Sequence, residues 1–250
     1  MVILIFLPHA AVEFTRKLQT WSQLYPEESE IRQALSSDGL PASNLRLDPE
    51  KADHIKFLSD ISFQLTYEDL NRLPSLLDIP LSKRDQINAA ATNDLVEQAY
   101  QMLLFYVASQ YPDCSGFISI LKRVGISEVE LVSKGKTRFD IDSGVDMLVI
   151  TDAAFVRSIV QKIATTWKYV ARFLGLSHVT LDNIQHGADP PTLCEQAFQM
   201  VYSWQREKGN KATYGALLRA LHRVWEHEPS KIFGAFTYSM QHVHNLACTS

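Results

Sequence analysis

Apolar residues recur at the spacing of one helix face in two stretches of the chain, at i, i+4, i+7, i+8 and i+11 in both. The positions are Leu95, Ala99, Met102, Leu103 and Tyr106 in the first stretch and Leu193, Ala197, Met200, Val201 and Trp204 in the second. This spacing predicts an amphipathic α-helix with one face in a core. Each stretch also begins with a capping pattern, because Asp94 and Thr192 stand three residues before a glutamate.

The two stretches belong to a longer internal repeat. Residues 97–106 align without a gap on residues 195–204, at an offset of 98, and matches continue on both sides at offsets of 97 and 100. A chance match of ten residues would not extend in both directions. The repeat therefore predicts two copies of one fold.

Helical patterns and turn residues around these stretches predict further helices. In the first copy they fall at about 57–65, 67–78, 82–89, 94–110 and 115–124. In the second copy they fall at about 153–164, 167–175, 179–186, 192–208, 213–226 and 229–245. The fold class predicted from this pattern is all-α.

Three parts of the chain surround or separate the two copies. Residues 1–54 match neither copy, and we interpret them as an N-terminal extension. The copies themselves are assigned to residues 55–128 and 153–247. Residues 129–152 contain turn residues such as Gly135 and Gly144, and this composition indicates a linker.

Composition and charge narrow the classes of partner and compartment. The 250 residues are 46% hydrophobic and 21% charged, and 24 Lys plus Arg against 28 Asp plus Glu give a net charge of -4. No bulk positive field exists to attract nucleic acid or an anionic membrane, so we expect neither as a partner. Three cysteines without a C-x-x-C pair and no apolar run of about 18 residues lead us to expect a cytoplasmic protein.

Residue patterns that support catalysis or metal binding are missing from the sequence. His242 and His244 near Cys248 lack a second pair of ligands at zinc spacing, and Cys114 has no histidine placed beside it by the sequence. No Gly-rich phosphate loop, G-x-S-x-G elbow or H-E-x-x-H motif occurs. We expect no cofactor, no metal and no enzymatic activity.

The second copy resembles a death domain of the death-fold superfamily. The resemblance rests on the run Trp167–Ser177, on Leu181–Ile184, on Glu195 with Trp204 nine residues later, and on Ala212–Leu221. It implies a six-helix antiparallel bundle with Greek-key topology, in which the tryptophans are core residues. A repeat of such a unit implies two six-helix bundles joined by a linker.

The first copy resembles the same superfamily, but two subclasses remain open for it. Its opening, residues 57–73, is similar to the first two helices of a death effector domain, whereas residues 97–106 are similar to a death domain. Leu70 stands where the second copy has Trp167, and the Arg-x-Asp-Leu motif of many effector domains is missing after Ile118. An effector-type domain followed by a death domain resembles adaptors of the Fas-associated death-domain kind, and a tandem pair of death domains is the alternative.

The resemblance implies a signalling adaptor for apoptosis or innate immunity that works by homotypic protein–protein interactions. Its partners would be a receptor, an adaptor or a caspase prodomain with a death or death effector domain, and it could form homo-oligomers. The alternative is a structural or inhibitory module whose two bundles pack intramolecularly.

Partner contacts in this superfamily are made by small charged surfaces. Lys168 and Arg172 lie four residues apart on one predicted helix and match the basic surface that binds receptor death domains. The full set of candidate interface residues is Lys168, Arg172, Asp182 and Asp189 in the second copy, and Glu68, Asp69, Arg72, Lys83 and Arg84 in the first.

Overall fold

The computed structural model of the chain describes residues 45–126, 148–187 and 192–249, and within these ranges it is helical. Eleven α-helices lie in the described residues, with no β-strand among them and two isolated β-bridges, between Arg46 and Asp113 and between Val149 and Thr213. The predicted all-α class is confirmed.

Five helices form the first half of the described structure, which we call the first bundle together with residues 45–51. They are α1 Ala52–Ser62, α2 Tyr67–Leu76, α3 Leu81–Ala90, α4 Leu95–Gln110 and α5 Cys114–Val124. Side-chain caps fix several of their starts. Thr66 and Asp69 form a reciprocal capping box on α2, while Asp94 and Asp113 each accept a hydrogen bond from a backbone N–H of the helix that follows.

Six helices form the second bundle. They are α6 Ala153–Ile163, α7 Trp167–Phe173, α8 His178–Gln185, α9 Leu193–Lys208, α10 Tyr214–His227 and α11 Pro229–Thr249. Asp152, Ser177, Thr192 and Thr213 cap α6, α8, α9 and α10 through their side-chain oxygens. Most predicted bounds lie within two residues of the observed ones because these caps are visible in the sequence.

Each bundle has its own cluster of buried hydrophobic residues. The first cluster includes Leu58, Leu103 and Phe117. The second surrounds Trp167 and Trp204, which are 2% and 1% exposed, so both tryptophans are core residues as the resemblance implies. Burial of such large side chains contributes about 1.5 to 3 kcal/mol each.

The first bundle begins earlier in the chain than the sequence pattern predicts. Helix α1 starts at Ala52 rather than near residue 57, because Ile55, Leu58 and Ile61 form its buried stripe. Leu47 is fully buried in the first core, and its backbone N–H donates to the carbonyl of Pro112. Residues 45–54 therefore pack with the first bundle, ahead of the boundary predicted at residue 55.

The described residues show five helices in the first bundle where the resemblance implies six. A sixth helix after α5 would fall at residues 127–147, which lie outside the described ranges. Much of the predicted linker at 129–152 lies there too. Its end, at Val149 and Ile150, pairs with the chain around Ala212 and Thr213 of the second bundle.

We expect that Leu47→Ala lowers the free energy of unfolding by about 2 to 5 kcal/mol, because it leaves a cavity in the first core. Urea denaturation measures this change. The matched control is Leu81→Ala, since Leu81 is 70% exposed at the start of α3 and its truncation should cost no more than about 0.5 kcal/mol. Equal losses for the two variants would show that residues 45–54 are not part of the bundle.

Candidate functional site

The two bundles contact each other through different faces. Helices α1 and α4 of the first bundle face α7 and α10 of the second, and the chain before α1 adds a contact at the edge. Phe63 and Val96 belong to the first bundle by sequence but pack against the hydrophobic cluster of the second. This contact brings together most of the charged and aromatic groups described below.

Arg172 on α7 lies at the centre of the contact, and its side chain is 3% exposed. Its Nη2 donates to both carboxylate oxygens of Glu97 on α4, at 2.8 Å to Oε1 and 2.7 Å to Oε2. The guanidinium also lies over the ring of Tyr100, 3.6 Å from its centroid. A buried cation is thus matched by a carboxylate and by the negative face of an aromatic ring.

The carboxylate of Glu97 stays ionised in this buried place. Burial raises the pKa of Glu97, but the charges of Arg172 and Lys168 and hydrogen bonds from Gln101 and Arg172 lower it by more in total, so that it lies below the usual value of 4.5. Burial lowers the pKa of Arg172, but the charge and hydrogen bond of Glu97, together with Tyr100 and Tyr169, raise it by more in total. Both members of the pair are therefore charged at neutral pH.

Tyr169 and Asp94 form a second polar link beside this pair. The Tyr169 hydroxyl lies 2.7 Å from each carboxylate oxygen of Asp94 and donates to that carboxylate. Burial and the hydrogen bond to Asp94 raise the pKa of Tyr169, so the hydroxyl keeps its proton. The same Asp94 carboxylate accepts from the backbone N–H of Glu97 at 2.9 Å and caps α4.

Arg223 on α10 makes the link to α1. Its Nη2 donates to Asp60 at 2.6 Å, and its Nη1 donates to Glu226 on its own helix at 2.8 Å. Phe63 lies next to this pair and stacks on His227 with ring centroids 4.6 Å apart and on Phe173 at 6.1 Å. A charged pair is thereby flanked by apolar rings, which limits its exposure to water.

The edge of the contact is set by small side chains and by a contact between His178 and Glu50. Gly175 has φ +74, and a Cβ added there would lie 2.7 Å from the Cβ of Ala52. Asp78, which is its counterpart in the repeat, also has positive φ, at 50. Nearby, His178 Nδ1 lies 2.9 Å from Glu50 Oε1.

The structure changes the interpretation of the predicted basic face of α7. Lys168 is half-buried near Glu97, and Arg172 is buried, so the prediction that the two share an exposed face is wrong for Arg172. The physical reason is that this side of α7 packs against α4 of the first bundle. A role of either residue in binding another protein stays a prediction.

Of the other candidates in the second bundle, Asp182 makes none of the contacts described above. Asp182 is exposed on α8. Asp189 lies outside the described residues. The structure therefore does not bring Asp182 together with Lys168 and Arg172 as one surface.

The candidates in the first bundle fall on two helices. Glu68 is exposed on α2, whereas Asp69 completes the capping box of that helix. Arg72 is exposed and donates to the carbonyls of Arg123 and Val124, and so binds the C-terminal end of α5. On α3, Lys83 lies 5.6 Å from the ring centroid of Phe105 and Arg84 is half-buried.

Sequence reasoning missed the partners of Arg172 and Arg223. The sequence pattern presents Glu97 only as a residue next to a cap, and it gives no interface role to Asp60, Phe63, Asp94 or Tyr100. One signal was available on α4. Glu97, Tyr100 and Leu104 lie at i, i+3 and i+7 on a second face of the helix, and all three are buried.

The described residues contain no group of three or more His, Cys, Asp or Glu side chains placed to hold a metal ion. None of the helices in the described ranges combines the length and the apolar character needed to cross a membrane. Cys114 is buried, and burial raises the pKa of its thiol to about 11, whereas Cys194 is exposed.

Comparison with known protein families gives one result. Residues 155–229 match the family model of the death domain. The matched residues lie in the second bundle and support its assignment to the death-fold superfamily. Death domains are non-enzymatic modules for homotypic protein–protein interactions in signalling. No curated protein and no solved structure matched the chain.

We expect that Glu97→Leu lowers the free energy of unfolding by about 3 to 5 kcal/mol, because Arg172 loses its partner in a buried place. The double variant Glu97→Leu, Arg172→Met should recover most of this loss, since it leaves no unpaired charge. Urea denaturation of Glu97→Leu, of Arg172→Met and of the double variant measures the coupling. Glu68→Leu, on the exposed side of α2, is the control with little expected effect. A double variant as unstable as the sum of the two single variants would contradict the pairing.

The contact should also weaken in acid. Because the pKa of Glu97 is lower in the folded chain than in the unfolded chain, its stabilisation is complete above about pH 4.5 and is lost as the pH falls through the folded pKa. The measurement is the difference in unfolding free energy between the wild type and Glu97→Gln between about pH 7 and pH 3. We expect this difference to shrink towards low pH, and a constant difference would contradict the assignment.

Proposed function

We propose that this protein is a signalling adaptor whose death domain binds a receptor or an upstream adaptor, while its first bundle recruits an effector such as a caspase prodomain. Clustering of effectors by many weak contacts would then activate them by proximity. The apoptotic or innate-immune output belongs to the same proposal, as does the assignment of the first bundle as effector-type.

The observation that carries the proposal is the contact made by Arg172. The surface formed by Tyr169, Arg172, Phe173, Arg223 and His227, which we call the Arg172 surface, already binds a folded helical bundle in this chain. The resemblance assigns partner binding to the same part of a death domain. A surface with the chemistry to bind one bundle can bind another that offers a carboxylate and aromatic rings at the same spacing.

The burial of Arg172 also favours a second candidate function. In the closed chain the first bundle occupies the Arg172 surface, so a partner cannot reach it unless the two bundles separate. A chain that never opens would be a structural or inhibitory module with two bundles packed together. The two candidates differ in one respect, which is whether release of the first bundle creates a binding surface.

We expect opening of the chain to increase partner binding. The opening variant is Phe63→Lys, Glu97→Ala, which places a cation beside Arg223 and His227, removes the carboxylate from Arg172, and leaves the Arg172 surface intact. Biolayer interferometry with panels of purified death domains and death effector domains measures binding. At least one death domain should bind the opening variant roughly 10-fold more tightly than the wild type, because less free energy is spent on opening.

A matched control keeps this comparison specific. Leu81→Lys, Asp85→Ala makes the same kinds of change at exposed positions of α3, away from the contact, and should bind as the wild type does. If neither the wild type nor the opening variant binds any member of either panel, the adaptor function is contradicted and the intramolecular module is favoured.

Partner binding by the first bundle is tested through the charged residues of α2 and α3. We propose that Glu68, Asp69, Arg72, Lys83 and Arg84 contribute to effector recruitment, and that Lys168, Asp182 and Asp189 contribute to contacts of the death domain. The contacts should weaken with added salt, since the screening length falls from about 10 Å at 0.1 M to about 3 Å at 1 M.

A further inference from the structure

A groove of about 330 Å³ lies on the first bundle between α2, α3 and the start of α4. Leu70 and Met102 form its floor and are 7% and 1% exposed, whereas Tyr67 and Leu95 on its walls are 65% and 41% exposed. Large apolar side chains that stand exposed around one groove are typical of a surface that binds another chain. We call this cavity the α3 groove.

Three polar side chains line the α3 groove together with these apolar ones. Arg84 and Asn88 on α3 are half-buried, and Asn71 on α2 is exposed. None of the three forms a side-chain hydrogen bond or an ion pair with another residue of the described ranges. A cation beside an apolar floor favours a ligand that brings both apolar side chains and a carboxylate.

The second bundle has a cleft at the same place in the repeat, and a carboxylate from outside that bundle lies in it. Asp94 of the first bundle lines this cleft, where it accepts from the Tyr169 hydroxyl at 2.7 Å. Three other lining residues stand at offsets of 97 or 98 from residues of the α3 groove: Lys168 from Asn71, Gln185 from Asn88, and Leu193 from Leu95. The repeat therefore shows that a cleft at this place accepts an acidic side chain from another part of the chain.

The chain contains a segment with the chemistry that the α3 groove favours. In residues 18–30, which lie outside the described ranges, Leu18, Trp21 and Tyr25 recur at the spacing of one helix face. Three glutamates follow at the end of the segment, which contains no lysine or arginine. Apolar anchors followed by negative charge complement an apolar floor beside a cation.

The connection between this segment and the bundle is long enough to reach the α3 groove. The described chain begins at Leu45, whose carbonyl accepts from the backbone N–H of Cys114 at the start of α5. Helix α4 runs from there to the groove, and its 16 residues span about 24 Å. Residues 31–44 can bridge up to about 46 Å when extended. The glutamates can therefore lie beside Arg84.

We propose that residues 18–30 of this chain bind the α3 groove, with their apolar side chains against Leu70 and Met102 and their glutamates beside Arg84. Since the segment belongs to the same chain, its effective concentration is on the order of millimolar, and a dissociation constant of about 0.1 mM would keep the groove about 90% occupied. One consequence rests on the proposed function. Because Arg84 is among the residues proposed to recruit an effector, the segment would compete with the effector for the first bundle.

Disulfide cross-linking of the full-length chain tests where the segment binds. The test pair is Ser29→Cys, Asp85→Cys, because Asp85 is exposed on α3 next to Arg84. The matched control pair is Ser29→Cys, Ser109→Cys, since Ser109 is also exposed but lies near the end of α4 and closer to the start of the described chain. A segment without a site at the groove would meet Ser109 at least as often as Asp85.

The natural cysteines do not interfere with this measurement. Cys194 and Cys248 are replaced by serine in both pairs, and Cys114 is buried, with the pKa of its thiol raised to about 11 by burial. Under the same mild oxidant we expect the test pair to cross-link roughly 10-fold faster than the control pair, because binding raises the local concentration of the two thiols. Mass spectrometry of proteolytic fragments distinguishes cross-links within one chain from cross-links between two chains.

Charge reversal tests the contribution of Arg84. Arg84→Glu in the test pair should slow cross-linking roughly 10-fold, because it replaces the cation with a carboxylate. Adding Glu27→Arg, Glu28→Arg should restore most of the rate, since the opposite charges have then exchanged places. The matched control is Arg157→Glu, at an exposed position of α6 outside the groove, which should leave the rate unchanged. Far-UV circular dichroism of each variant verifies that the helices are retained.

Three results would overturn the proposal. The first is an equal rate for the test pair and the control pair, and the second is a rate that Arg84→Glu leaves unchanged. The third is a cross-link found only between two chains, since the groove would then bind a second copy. These measurements involve no death-domain or effector partner, so a failure of this proposal is distinguishable from a failure of the adaptor function.

Discussion

The buried pair of Arg172 and Glu97 is the interaction on which the relation of the two bundles depends. An ionised guanidinium far from water is tolerated only when its charge is matched, and here the carboxylate of Glu97, from another part of the chain, matches it. Apolar contacts such as those of Phe63 and Val96 supply area, but area alone does not select one orientation. The pair of Arg172 and Glu97 selects one orientation of the bundles, because a shift of one residue along α4 would bury both charges without a partner.

The repeat shows how one scaffold came to carry two different surfaces. Helices α4 and α9 keep the same core stripe, cap and glutamate, and they differ in what surrounds the glutamate. The face of α4 is buried around Glu97 and Tyr100, whereas the matching face of α9 exposes Phe198 and Tyr202. Apart from substitutions such as Tyr100 by Phe198, the difference lies in the neighbours, since within the described ranges α4 has the other bundle packed on this face and α9 does not.

The sequence predicts the helices well because their signals are local. Caps such as Thr66, Asp94 and Thr213 and the apolar stripes lie within a few residues of the helix they define. The start of α1 is missed since its stripe begins before the first strong aromatic residue. The contact between the bundles is missed for a different reason. Arg172 and Glu97 are 75 residues apart, and each has a sufficient local explanation, one as a surface cation and the other as the residue that follows a cap.

The close approach of Gly175 to Ala52 has a consequence for how far this arrangement can vary. At this edge the bundles are only as far apart as the Cα of Gly175 and the methyl group of Ala52 require. One added carbon at position 175 would act as a wedge, and the positive φ would strain any other residue there. Because the hydrogen bonds of Arg172 tolerate only a few tenths of an ångström of stretch, such a wedge at the rim would be transmitted to the centre of the contact. The contact between the bundles is therefore least tolerant of substitution at Gly175 and Ala52, where the side chains are smallest.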